Sequence, residues 1–158
     1  MKRFILLCML CLSALPVVAE TITGQVVRVS DGDTLTLLDD TNTQYKIRLT
    51  AIDAPELGQP YGYLSKQALV DLCFKQTASI EVTGKDRYGR LVAIVTCNDT
   101  NANEAMLNLG MAWVYQRFKK RYPHYDALEQ DARYDETGLW MDEDPVPPWV
   151  WRNHKRGR

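Results

Sequence analysis

The chain changes its hydrophobic period once, and that change constrains the fold more than anything else in it. Between residues 23 and 50 apolar and polar positions alternate, with Val27 and Val29, then Leu35 and Leu37, then Tyr45, Ile47 and Leu49 on common faces. This is the period of half-buried strands. Asp31-Gly32-Asp33 and Asp39-Asp40-Thr41-Asn42 interrupt the run as turns, so the segment predicts a three-stranded antiparallel meander. Over residues 64–73 the repeat becomes four, Leu64, Ala68 and Leu72 running beside Leu69 and Cys73, which predicts a helix laid on the sheet. Two more strands follow over residues 79–83 and 91–96. A short helix through Ala102, Met106 and Leu109 stops at Gly110, and a last helix from near Pro123 carries Tyr125, Leu128 and Ala132 and stops at Gly138. The pattern predicts one α+β domain, mainly β: a five-stranded Greek-key barrel of the OB type with about three helices. A parallel α/β sheet would need a regular strand-helix alternation that is missing here. OB barrels offer one face to nucleic acid or oligosaccharide, and fold alone does not choose between them.

The two ends of the chain read differently from its middle. Lys2 and Arg3 precede an uncharged run over residues 4–18 that closes on Val17-Val18-Ala19, the form of a secretory signal peptide over residues 1–19 cleaved near Ala19. A single membrane anchor is the alternative, but Ser13 and Pro16 interrupt the run and it is short for a span. The expectation is therefore export to the periplasm or beyond, with no stable membrane association and a monomeric product. Residues 20–144 form the domain. Residues 145–158 read as a Pro/Trp/basic tail, extended at Pro145-Val146-Pro147-Pro148, with Trp149 and Trp151 free to pack back and the terminal charges frayed.

Cleavage would remove Cys8 and Cys11 and leave Cys73 and Cys97. In an oxidising compartment these form one disulfide worth on the order of 3 kcal/mol, or remain two buried thiols. Two cysteines without a paired CxxC, plus His124 and His154, do not supply a zinc site. The formal net charge is −1, so attraction to phosphate must come from local clusters such as Arg87 with Arg90, or Arg117, Lys119, Lys120 and Arg121.

The chemistry-bearing residues concentrate in three places. An Asp31-Gly32-Asp33-Thr34 turn precedes Arg48, and Asp53 and Glu56 follow in Ile52-Asp53-Ala54-Pro55-Glu56. A further arginine closes Asp86-Arg87-Tyr88-Gly89-Arg90. Phosphodiester hydrolysis needs a hard cation held by oxygens, a base for water, and guanidinium groups for the charge of the transition state. All three types are present.

Taken with Tyr61-Gly62, Asn103-Glu104 and Gly138-Leu139-Trp140, these motifs run in the order and spacing of the thermonuclease, or staphylococcal nuclease-like, family, which the chain resembles from about Gly24 to Trp140. The resemblance implies an OB-fold barrel and calcium-dependent endonucleolytic cleavage of DNA and RNA to 3′-phosphate ends. Carried over by position, it implies Asp33 and Asp53 as side-chain ligands of Ca2+ and the Ala54 carbonyl as a backbone ligand. The best-known member has threonine at the Ala54 position, which a main-chain ligand tolerates. It implies Glu56 as general base, Arg48 and Arg90 as guanidinium clamps, and Arg87, Tyr88 and Tyr115 as substrate contacts. A noncatalytic OB module binding nucleic acid or a partner is the alternative reading, although such relatives typically lose the acidic or arginine positions that this chain keeps.

Overall fold

The structure, a computed structural model, describes residues 21–157; the segment read as a signal peptide lies outside the described residues. Strands β1 (Thr21–Asp31), β2 (Thr34–Leu38) and β3 (Gln44–Leu49) form the expected meander. Strand β1 does not alternate cleanly. Register shifts between Val26 and Arg28 and between Val29 and Asp31 bury Val26 and Val29 and leave Val27 half-buried, where the sequence pattern put Val27 and Val29 on one face. Such bulges bend a strand, and here the first half of β1 pairs with β5 (Thr77–Lys85) while its second half pairs with β2.

Strand β5 continues antiparallel into β6 (Leu91–Cys97), and β6 pairs parallel with β3. That last pairing closes the order β3-β2-β1-β5-β6 into a five-stranded OB-type barrel. Its interior is filled by Val26, Leu35, Leu37, Ile47, Leu49, Ile80, Ala93 and Val95, all buried. Two short strands lie outside the barrel, β4 (Ile52–Asp53) and β8 (Trp113–Val114), paired antiparallel with Asp53 opposite Trp113. A two-residue strand, β7 (Thr100–Asn101), extends the edge of β6.

Four α-helices pack around this frame among the described residues. Helix α1 (Gly62–Cys73) buries Gly62, Ser65, Leu69 and Cys73, whereas Leu64 is exposed, so the buried stripe is one residue out of phase with the expected Leu64-Ala68-Leu72 row. The small Ser65 explains the phase: its hydroxyl donates to the Met111 carbonyl at 2.6 Å, and a Cβ at Gly32 would collide with it. The helix therefore settles directly against the Asp31-Gly32-Asp33 turn. At its far end Cys73 meets Cys97 from the end of β6, with sulfurs 2.08 Å and Cα atoms 5.3 Å apart.

Helix α2 (Ala102–Asn108) starts at Asn101, whose side chain accepts from the N–H groups of Asn103 and Glu104. Helix α3 (Pro123–Tyr134) has proline in its first turn and buries Tyr125, Glu129 and Ala132. Glu129 was not expected in the core. It is retained because it accepts from the Val114 N–H and from Arg133, whose guanidinium lies 3.7 Å from the Trp140 ring centroid.

The chain end departs from the sequence reading. Residues expected to be extended and frayed form helix α4 (Pro148–Arg156). Proline at the first helical position lacks only an N–H that would have had no partner there, so the Pro-rich stretch starts this helix instead of excluding it. Trp149 sets its edge against Trp113 and Tyr115, with centroids 5.7 Å and 5.9 Å away, and the buried Gln59 side chain donates to the Val146 carbonyl. No helix among the described residues is long and apolar enough to cross a membrane.

Candidate active site

The barrel closure decides where the arginines go. Thr34 is the cross-strand neighbour of Arg48 in the β2–β3 ladder, and Val92 is its neighbour in the parallel β3–β6 pairing. Arg90 immediately precedes β6, so the closing pairing carries it to the same rim as Arg48. Arg90 Nη1 donates to Thr34 Oγ1 at 3.3 Å, and that hydroxyl donates to Asp33 Oδ1 at 3.0 Å. A chain of polar contacts thus links Arg90 to Asp33 through a residue to which the sequence reading gave no role.

Arg48 forks between the two aspartates. Its Nη1 bonds Asp33 Oδ1 and its Nη2 donates to Asp53 Oδ1 at 2.8 Å. Both carboxylates are buried, and Asp33 also accepts from the Ala54 N–H at 2.9 Å through its other oxygen. Burial alone would raise the Asp33 carboxyl, but the Arg48 guanidinium and the Ala54 N–H hold it below the usual carboxylate range. Burial works against the Arg48 charge, yet Asp33 and Asp53 outweigh it and push its pKa further up. Asp31 bonds the Asp33 N–H through Oδ1, and burial beside the Asp33 charge pushes its carboxyl up to about 6.

The link between Arg48 and Asp53 is a tight corner. Ala51 takes a left-handed backbone with φ 63, turning the chain out of β3 and straight into β4. The Thr50 carbonyl at this corner accepts from the side chain of buried Asn103, whose oxygen accepts from the Val95 N–H. Glu56 follows on a loop pressed onto the start of α1, where a Cβ at Gly62 would fall on the Glu56 carbonyl oxygen. Only glycine lets the loop lie this close.

A residue missed by the sequence reading joins these carboxylates. Arg152, from α4, donates through Nη1 to Glu56 Oε1 at 2.8 Å and to Asp53 Oδ1 at 3.1 Å, and through Nη2 to Asp53 Oδ2 at 2.7 Å. Those bonds, against the cost of burial, raise its pKa. No local signal distinguishes Arg152 from its basic neighbours; only the position of α4 does.

Beside Arg90, Asp86 accepts from the N–H groups of Tyr88 and Arg90 and from Arg90 Nε at 2.7 Å. This one carboxylate shapes the turn and aims the guanidinium, and the Arg90 bonds help to hold it below the usual carboxylate range against desolvation. Tyr88 is 67% exposed, its hydroxyl bonded by Arg87. Tyr115 is half-buried, with the Arg117 guanidinium 4.9 Å from its ring centroid. One open cleft of about 730 Å³ is lined by Asp33, Arg48, Asp53, Ala54, Glu56, Arg87, Tyr88, Arg90 and Tyr115, together with Arg117, Arg121 and Arg152. Every residue singled out for metal, catalysis or substrate therefore lines one surface. Cys73 and Cys97 stand apart from it.

The donors suit a hard cation in kind. Asp33 and Asp53 supply carboxylate oxygens on buried, fixed stems, and a guanidinium already bridges Asp53 to Glu56 as a positive group would. Among the described residues no group of three or more His, Cys, Asp or Glu is set to hold a metal ion, so any ion here would lean on backbone oxygen and water as well, which Ca2+ accepts readily.

Residues 46–142 match the family described as Staphylococcal nuclease homologue. A protein of Escherichia coli O157:H7 named Uncharacterized endonuclease is 40% identical over 156 residues, covering 98% of this chain and 100% of its own. A Haemophilus influenzae protein of the same name is 40% identical over 137 residues, 87% of this chain and 76% of its own. The Micrococcal nuclease of Shigella flexneri is 38% identical over 139 residues, 82% of this chain and 79% of its own. With a matched region that takes in Arg48, Asp53, Glu56, Arg90 and all of α1, α2 and α3, the chain belongs to the staphylococcal nuclease family.

Proposed function

We propose that this protein is an exported, Ca2+-dependent endonuclease that hydrolyses phosphodiester bonds of DNA and RNA and leaves 3′-phosphate ends. The observation that carries the reading is the convergence of Arg48, Glu56 and Arg90 with the Asp33–Asp53 pair on one open cleft. A binding module has no need of a carboxylate lining the same cleft as two guanidinium groups and an aspartate pair, and all five residues are present.

Asp33, Asp53 and the Ala54 carbonyl are the residues that would hold the ion. When bound, Ca2+ would supply positive charge to a non-bridging phosphate oxygen as the phosphorus gains negative charge. The rest falls to the chain. Glu56, half-exposed on its loop, orients the attacking water and takes its proton. Arg90, aimed by Asp86, and Arg48, held by its two aspartates, present forked N–H donors that strengthen as the transition state gains charge. Tyr88 and Tyr115, with Arg87 and Arg117 beside them, offer ring faces on which any base stacks, which accounts for low sequence and sugar discrimination.

Export rests on residues 1–19, and it accords with Cys73 and Cys97 forming a disulfide, since an oxidising compartment would maintain one. The mature domain acts as a monomer.

Purified mature protein incubated with plasmid DNA and with single-stranded RNA tests the reading. Degradation should require calcium, cease with chelator, fall to background in Glu56→Gln, and give 3′-phosphate ends by end-group analysis. Intact substrate in the presence of calcium, with binding that survives chelator, would instead establish a noncatalytic module.

A further inference from the structure

We propose that Arg152 is a positioning residue of this site that holds the Asp53 oxygens and competes with a divalent cation for them. The inference rests on the Ca2+ reading above. It concerns a residue beyond the matched family region, which ends at residue 142.

Arg152 lies on both oxygens of Asp53. Asp53 is 1% exposed; its Oδ1 accepts from Arg48 at 2.8 Å and from Arg152 at 3.1 Å, and its Oδ2 accepts from Arg152 at 2.7 Å. Among the described residues Arg152 is the one hydrogen-bond partner of Oδ2. A hard cation reaching Asp53 must approach an oxygen that Arg152 now covers. Two guanidinium groups already share Oδ1, but a divalent ion carries twice the charge of either and repels a guanidinium at close range more strongly.

Of the two guanidinium groups, Arg152 is the one that can leave. Arg48 is fixed on a barrel strand between Thr34 and Val92 and bridges both buried aspartates. Arg152 projects from a nine-residue helix near the chain end, has a third of its side chain exposed, and shares its Nη1 with Glu56, which is more exposed still. The helix need not detach. Trp149 against Trp113 and Tyr115, and the Gln59 bond to Val146, anchor α4 independently of the guanidinium, so a rotamer change of Arg152 is enough.

In its docked state the same fork ties Glu56 to Asp53. It neutralises two carboxylates that would otherwise face each other across the cleft, and it holds the loop in place until a cation takes over. Arg152 thereby sets the cation concentration at which the site fills.

The test is calorimetric titration of the full mature chain with calcium chloride alone, without nucleic acid, for native protein, Arg152→Met, Arg152→Lys and Asp53→Asn. Methionine keeps most of the apolar stem and removes the charge. Arg152→Met should bind calcium tighter by about 5- to 150-fold, the span of typical coupling between two sites. Arg152→Lys, which keeps the charge but loses the fork, should fall between it and native, and Asp53→Asn should bind weakly. Thermal melting adds a second readout: Arg152→Met should melt lower than native in chelator and recover more of the difference when calcium is added.

Equal calcium affinity of native and Arg152→Met overturns the competition and leaves the Ca2+ reading intact. Failure of both native and Arg152→Met to bind calcium overturns the Ca2+ reading and this inference with it. Should Arg152→Met not fold, Arg152→Lys decides: tighter binding than native supports the competition, and unchanged affinity refutes it.

Discussion

Arg48 stands between two buried aspartates, and its environment separates what charge does from what shape does. Removing the cation altogether, as in Arg48→Met, strands the buried Asp33 and leaves Asp53 with Arg152 alone, and should cost roughly 3–5 kcal/mol of stability. Lysine keeps the charge but cannot reach both carboxylates with a fork. Arg48→Lys is therefore expected to fold while kcat on DNA falls about 10²- to 10³-fold, the loss typical of one transition-state donor. Asp86 gives the complementary case at Arg90. Asp86→Asn keeps a turn acceptor but weakens the hold on Arg90, so kcat should drop while the urea midpoint barely moves; a large fall in that midpoint would mean that the turn, and not the aim of Arg90, had failed. Asp33, Asp53, Glu56 and the two arginines were legible as residues because their types and order match a known pattern. Thr34, Asp86 and Arg152 were not, since each acts by accepting from or donating to another side chain and carries no signature of its own.

At the scale of elements, the site depends on two junctions. One is the parallel pairing of β3 with β6, which sets Arg48 and Arg90 on a shared rim. The other is the corner from β3 into β4, held by Asn103 between the Thr50 carbonyl and the Val95 N–H. Asn103→Ala leaves a buried carbonyl and a buried N–H without their partners, at about 1–3 kcal/mol for each group. Chemical denaturation should show the stability loss, and nuclease activity of the still-folded fraction should also fall, because the corner spaces Arg48 from Asp53. The meander, the two later strands, the end of α2 and the start of α3 followed from period and turn residues, whereas α3 ends at Tyr134, short of Gly138. Helix α1 came out in a different phase because a buried serine, not a leucine, faces the Gly32 turn. Helix α4 was hidden because prolines read as helix breakers unless the start of the helix is already known.

For the whole molecule, the Cys73–Cys97 link ties the end of α1 to the end of β6 across 24 residues of sequence. Closing a loop of that length restricts the unfolded chain by roughly 3 kcal/mol. Cys73→Ala with Cys97→Ala should lower unfolding free energy by about that amount while activity of the folded protein persists, since neither cysteine lines the cleft. Two titratable thiols in denatured, non-reduced native protein would refute the link. The cleft carries a small positive excess, because Asp33, Asp53, Glu56 and Asp86 are paired with Arg48, Arg90 and Arg152 while Arg87, Arg117 and Arg121 line it as well, on a chain whose overall charge is −1. Local clustering, not net charge, gives this protein its attraction for phosphate.

The amino-acid order by itself determined the strand and helix periods and the barrel class, because alternation and turn chemistry are local properties of a chain, and its family resemblance singled out Asp33, Arg48, Asp53, Glu56 and Arg90 as candidates. Only the tertiary structure decided that these residues share one cleft, that Ser65 phases α1, and that a residue from the last helix reaches Asp53 and Glu56 across 99 and 96 positions. Such contacts depend on where separately formed elements come to rest. That is fixed by barrel closure and by burial of Trp149 against Trp113, neither of which leaves a mark in the sequence near Arg152.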